Sequence, residues 1–175
     1  MLIPTLAAQD LAKKAANTEL QSFAAETGVV IIKGYTELGE VTGMGRVSVD
    51  CKEFTNGKNG KKSYGIAIQV KESGQLEREG TSYIDYEEIS SLLAGIDYVS
   101  KVTSSVTKLK QFEATYATKD NFSITVFNGT NGQLSAAVSC GFAGRTSAYL
   151  SIQKLAELRR LIMTAKDQLE TIKSS

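Results

Sequence analysis

The chain has 175 residues, with 20 Lys and Arg against 19 Asp and Glu, no His, no Trp, one Pro, two Cys and 42% apolar residues. That length fits one ordinary domain, or two small halves sharing a core, and the apolar fraction is enough to form one. Without His there is no Ser-His-Asp or Cys-His mechanism and no His-ligated metal, so catalysis would fall to carboxylates, Lys or Tyr. A net charge of +1 argues against strong non-specific polyanion binding, although it leaves room for a local basic face.

Residues 6–27 read as an Ala-rich helix with Leu6, Leu11, Ala15, Leu20 and Phe23 on one stripe and Gly28 as its stop. The period then changes from 3.6 to 2. Val29-Val30-Ile31-Ile32 is a short β-branched run. Val47, Val49 and Cys51 alternate with polar residues, Asn56 to Lys62 is a turn, and Tyr64, Ile66, Ile68 and Val70 alternate again. Thr81 to Ile84 is a fourth strand. Asp85 opens a helix with the spacing of a capping box, and its stripe is Ile89, Leu92, Ile96 and Val99, ending near Val102.

The period returns to 2 beyond residue 108. Phe112, Ala114 and Tyr116 share a face, as do Phe122, Ile124 and Val126. Asn128 to Gly132 is a turn, Leu134, Ala136, Val138 and Cys140 share a face, and Thr146 to Leu150 is a short strand. Ser151 caps a final helix running to about Lys173, with the seam Leu155, Leu158, Ile162, Ala165, Leu169 and Ile172. Its length, about 33 Å for about 22 residues, exceeds what its own sheet needs. The far end is free to pair with another protomer or to cover the N-terminal helix.

A shift of 66 residues places Tyr83 on Tyr149, Asp85 on Ser151, Ile89 on Leu155, Leu92 on Leu158 and Ile96 on Ile162. The expected fold is therefore α+β: an N-terminal helix over 1–28, then two repeated β-β-β-β-α units over 29–102 and 108–175 in one domain spanning 1–175. The antiparallel meanders would each be covered on one face by helices.

Most motifs with chemical overtones read as structure. Ser105/Lys108 and Ser151/Lys154 have Ser-x-x-Lys spacing but lack companion elements, and Ser151 already serves as a cap. Gly57 to Ser63 imitates a phosphate loop but has Thr55 and Lys62 at the motif's Gly and Ser/Thr positions, and it joins strands. Asp85, Glu87 and Glu88 cluster where helix N–H groups favour carboxylates. Cys51 and Cys140 cannot build a zinc site alone; buried free thiols are one reading and a disulfide the other. No metal or cofactor is expected. No apolar run reaches the roughly 18 residues of a membrane span. A soluble chain is expected, exported if residues 1–8 are the remnant of a signal peptide.

The polar sheet faces hold the candidate ligand-binding residues: Lys119, Phe127, Lys110, Thr115 and Thr125. Lysines beside aromatics mix phosphate-binding with base-stacking types. At the level of topology alone, the duplicated four-strand-and-helix organisation resembles the Whirly and Pur families, which implies single-stranded nucleic-acid binding as one function. The chain lacks the Whirly lysine-glycine-lysine strand; Lys33-Gly34-Tyr35 shares two residues with it. The leading expectation is a non-catalytic binding or assembly domain with a macromolecular partner, itself included. A His-independent enzyme using carboxylates is the third reading.

Overall fold

A computed structural model describes residues 16–141 and 144–175. In chain order they form α1 (Glu19–Ala25), β1 (Ile31–Gly43), β2 (Gly45–Asn56), β3 (Lys62–Lys71), β4 (Glu79–Asp85), α2 (Tyr86–Ser100), β5 (Glu113–Ala117), β6 (Ser123–Asn128), β7 (Leu134–Cys140), β8 (Thr146–Leu150) and α3 (Ile152–Lys173). The fold is α+β, with two four-stranded antiparallel sheets in the orders β1-β2-β3-β4 and β5-β6-β7-β8.

Alternation dictates which faces meet. Val47, Val49 and Cys51 on β2 stand opposite Val70, Ile68 and Ile66 on β3. Ile124 and Val126 on β6 stand opposite Val138 and Ala136 on β7. All of these side chains are buried, and they join the seams of α2 and α3 in one apolar cluster shared by both sheets. The two sheets thus share one apolar core. The helices cross over in building it. α3 lies chiefly on β1 and β2, while α2 touches β5 and β6 as well as β3 and β4. Arg159 on α3 donates twice to Asp97 on α2, at 2.6 and 2.7 Å, and ties the helices together.

The first-sheet edge differs from expectation. β1 runs to Gly43, far beyond the apolar run at 29–32, because its polar stretch still pairs with β2 from Ile31↔Asn56 to Glu37↔Asp50. A bulge between Glu37 and Gly39 shifts the register, and Gly39 there adopts φ +146°, a conformation that glycine supplies readily. At the β1–β2 tip, Met44 exchanges backbone hydrogen bonds of 2.9 and 2.8 Å with Tyr149 on β8, which joins the tip to the second sheet.

Further expectations are corrected. The N-terminal helix occupies only Glu19–Ala25 among the described residues, and the part expected over 6–15 lies outside them. Its start is set by Thr18, whose hydroxyl accepts from Gln21 N–H while the Gln21 amide oxygen accepts from Thr18 N–H. Asp85 sits at the start of α2 but makes no side-chain cap there. Its carboxylate instead accepts from Glu19 N–H at 2.8 Å and Leu20 N–H at 3.1 Å, so it caps α1. Finally, Leu20 and Phe23 of α1 pack on Phe54, whose side chain points away from Val49 and Cys51. The first sheet therefore carries helices on both faces, α1 on the outer one and α3 on the inner one. The end of α3 does not cover α1: Leu169 is buried within the main cluster, beside the β1–β2 pair.

Candidate functional site

Register places the sequence-predicted residues individually. Thr115 on β5 and Thr125 on β6 are directly opposite, and their hydroxyls lie 2.8 Å apart on the outer face of the second sheet. Phe127 occupies the same face, opposite Glu113. Lys110 lies at the Phe127 end: its carbonyl accepts from the Asn128 side-chain amide, whose oxygen in turn accepts from Phe112 N–H. Lys119 lies beyond the other end of β5, and its backbone N–H donates to Glu88. The structure thus gathers Thr115, Thr125 and Phe127 with Lys110 at their rim. Lys119 is separated from Phe127 by the length of β5, about 13 Å for four residue steps.

Sequence reasoning missed Tyr149 and Met44. Tyr149 stands opposite Ala137 on the same outer face, and its ring meets Phe127 edge-to-face at 6.5 Å. The signal was present, because Tyr149 alternates with the buried Ala148 and Leu150 and so had to point outward. Met44 is 66% exposed beside it. These three side chains, with Leu134, Ser135 and the start of α3 at Ser151, line an open groove of about 830 Å³. Flat aromatic surfaces on small hydroxyl-bearing neighbours suit a planar or apolar ligand. The charge nearest Phe127 across the strands is the acid Glu113, whereas the cation Arg145 sits at the far end, donating to Ser123.

The remaining motifs are occupied by structural work. Ser151 accepts from Lys154 N–H, and the Lys154 ammonium holds Glu157 at 3.0 Å. Asn56 closes the β2–β3 turn by accepting from Lys58 and Asn59 N–H. Burial pushes the Cys51 and Cys140 thiols up to about 11, and both are free. The shifted carboxylates all move down: Arg78 lowers Glu72, Lys71 lowers Glu77 and Arg159 lowers Asp97. A general acid at neutral pH needs the opposite shift. Among the described residues, no three His, Cys, Asp or Glu are placed to hold a metal ion, and no helix is long and apolar enough to cross a membrane.

A further exposed apolar feature is the edge of the first sheet. Val30 is 71% exposed, Ile32 58% and Tyr35 67%, all along β1 or at its entry. β1 is an end strand of its sheet, and among the described residues no strand pairs with its outer side.

The fold is α+β, and both the groove beside Phe127 and Tyr149 and the β1 edge are exposed. Compared with known proteins, the chain matches no family model, no curated protein and no solved structure, so no function comes to it by similarity.

Proposed function

We propose that this chain is a non-catalytic assembly domain that associates with a second copy of itself. The observation that carries this reading is the 13-residue strand β1, an exposed sheet edge with apolar residues along it. Such an edge presents unpaired N–H and C=O groups and is a template for another strand. The reading relocates the interface from the C-terminal helix, because the α3 seam is consumed inside the chain as far as Leu169. Sedimentation velocity over a concentration series tests it. A reversible monomer–dimer equilibrium is expected, and a monomer at every concentration refutes it.

The two halves also read as copies of one β4α unit. Asp85 and Ser151, 66 positions apart, both stand at helix N-caps. The stripes Ile89, Leu92, Ile96 and Val99 and Leu155, Leu158, Ile162 and Ala165 are all buried.

A second reading, single-stranded nucleic-acid binding through the outer face of the second sheet, is favoured by the Phe127–Tyr149 pair, on which a base could stack. Fluorescence anisotropy with mixed oligonucleotides at low and moderate salt tests it. Salt-dependent binding lost in Phe127→Ala supports it, and no binding at low salt removes it.

A further inference from the structure

We infer that two copies of this chain join β1 to β1 antiparallel, with the two-fold axis at Tyr35, so that their first sheets become one eight-stranded sheet. The inference rests on the self-association reading above and adds the surface and the register. The backbone sets the first constraint. Val30 turns its carbonyl toward the β2 side, where it accepts from Gly57 N–H at 2.8 Å. Direction alternates along a strand, so Ile31, Lys33, Tyr35 and Glu37 turn their N–H and C=O to the open edge. The bulge between Glu37 and Gly39 reverses that alternation, so the uninterrupted edge ladder ends at Glu37.

Charge sets the second constraint. Lys33, Tyr35 and Glu37 share the outer face of the sheet and are all exposed. Within that ladder, an axis at Tyr35 puts Lys33 of each copy directly opposite Glu37 of the other, twice by symmetry, with Tyr35 against its own copy. Opposite charges facing across strands favour pairing and like charges oppose it. Neither side chain has an ion-pair partner among the described residues. The Lys33 ammonium is 5.4 Å from the Phe54 ring centre. A self-complementary patch of this kind is what an isologous two-fold interface requires.

The test is a charge-swap cycle on the full chain, read by sedimentation, with circular dichroism to confirm folding. Lys33→Glu makes two Glu–Glu pairs and Glu37→Lys makes two Lys–Lys pairs. Each single variant is expected to weaken the dimer roughly tenfold, and the double variant Lys33→Glu/Glu37→Lys to restore it. The same three proteins carry identical folded interiors, so rescue by the double variant separates interface charge from damage to folding. Tyr35→Cys adds an independent readout, because Cys51 and Cys140 are buried and the new thiol is the exposed one. Opposed residues on paired strands lie about 5.5 Å apart at Cα, within disulfide range. On mild oxidation of the Tyr35→Cys variant, a disulfide joining the introduced thiols of the two copies is expected. A wild-type dimer indifferent to both single swaps overturns the edge interface while leaving self-association standing. A dimer sensitive to the swaps whose Tyr35→Cys variant forms no intermolecular disulfide overturns the Tyr35 axis. A monomeric wild type overturns both the inference and the reading beneath it.

Discussion

Replacing Gly95 with Ala sets two local effects against each other and the structure decides the sign. Gly95 is in the interior of α2 and buried, with the Tyr116 ring of β5 lying on it. Helix propensity alone would make Ala better than Gly by about 1 kcal/mol. A methyl group at this position overlaps Cγ and Cδ2 of the ring and falls 2.8 Å from Cε2. Comfortable carbon contacts are roughly 3.5–4.0 Å, so the clash involves the root of the ring, which cannot swing away without moving β5. Overpacking of this kind costs about 1–3 kcal/mol, and more where relief needs the backbone. The net expectation is a loss of about 1–2 kcal/mol, measured by urea denaturation with an unchanged m-value. For a chain of this size each kcal/mol corresponds to about 2–4 °C in Tm. The decisive comparison is made in a Tyr116→Ala background, where the obstacle is gone. There Gly95→Ala is expected to stabilise by about 1 kcal/mol. If Gly95→Ala stabilises the wild-type protein, or has the same sign in both backgrounds, the packing argument is wrong.

Asp85→Ala removes the carboxylate that accepts from Glu19 and Leu20 N–H and is expected to cost about 1–2 kcal/mol, with faster amide exchange at those two residues than elsewhere. The Cys51 and Cys140 thiols, raised by burial to about 11 from 9.0, are expected to resist Ellman's reagent at pH 8 in the native protein and to react on unfolding. Their folded pKa values lie above the unfolded one, so their stabilisation is complete below pH 9.0 and declines as pH rises toward about 11. Glu72, Glu77 and Asp97 are lowered by Arg78, Lys71 and Arg159. Their stabilisation is present above the unfolded carboxylate range, about 4, and is lost as pH falls below it, a small effect because solvent reaches all three groups and screens the pairs. Acid denaturation with Arg159→Ala as the control checks this last point: the variant should show a shallower acid limb.

Alternation and helical stripes were sufficient for the central strands and the two long helices. Val47, Val49 and Cys51, or Leu155, Leu158 and Ile162, announce their burial because a period of 2 or 3.6 reports one face against a core. The same rule hid most of β1, since an exposed edge strand need not alternate, and the expected apolar run stopped at Ile32. It also passed over the break at Thr18, where a hydroxyl caps α1 inside what the pattern reads as one helix. Thr115, Thr125 and Phe127 could be assigned to one face, but their neighbour Tyr149 became part of it only when β8 paired with β7.

What the sequence determined alone is therefore local: the central strands and the two long helices, which side of each is apolar, and that this chain supplies no His. What the tertiary structure decided is every pairing between distant segments. α3 could have covered its own sheet, and its stripe would look the same lying on β1 and β2. Asp85 carries the sequence signature of a cap for α2, yet its carboxylate closes the start of a helix 66 residues earlier. The physical reason is that burial and hydrogen bonding are non-specific in sequence: an apolar stripe fits any apolar face, and an acceptor serves any donor within reach. Chain geometry and packing choose among them, and the open β1 edge and the Phe127–Tyr149 groove are among the surfaces that this choice left uncovered.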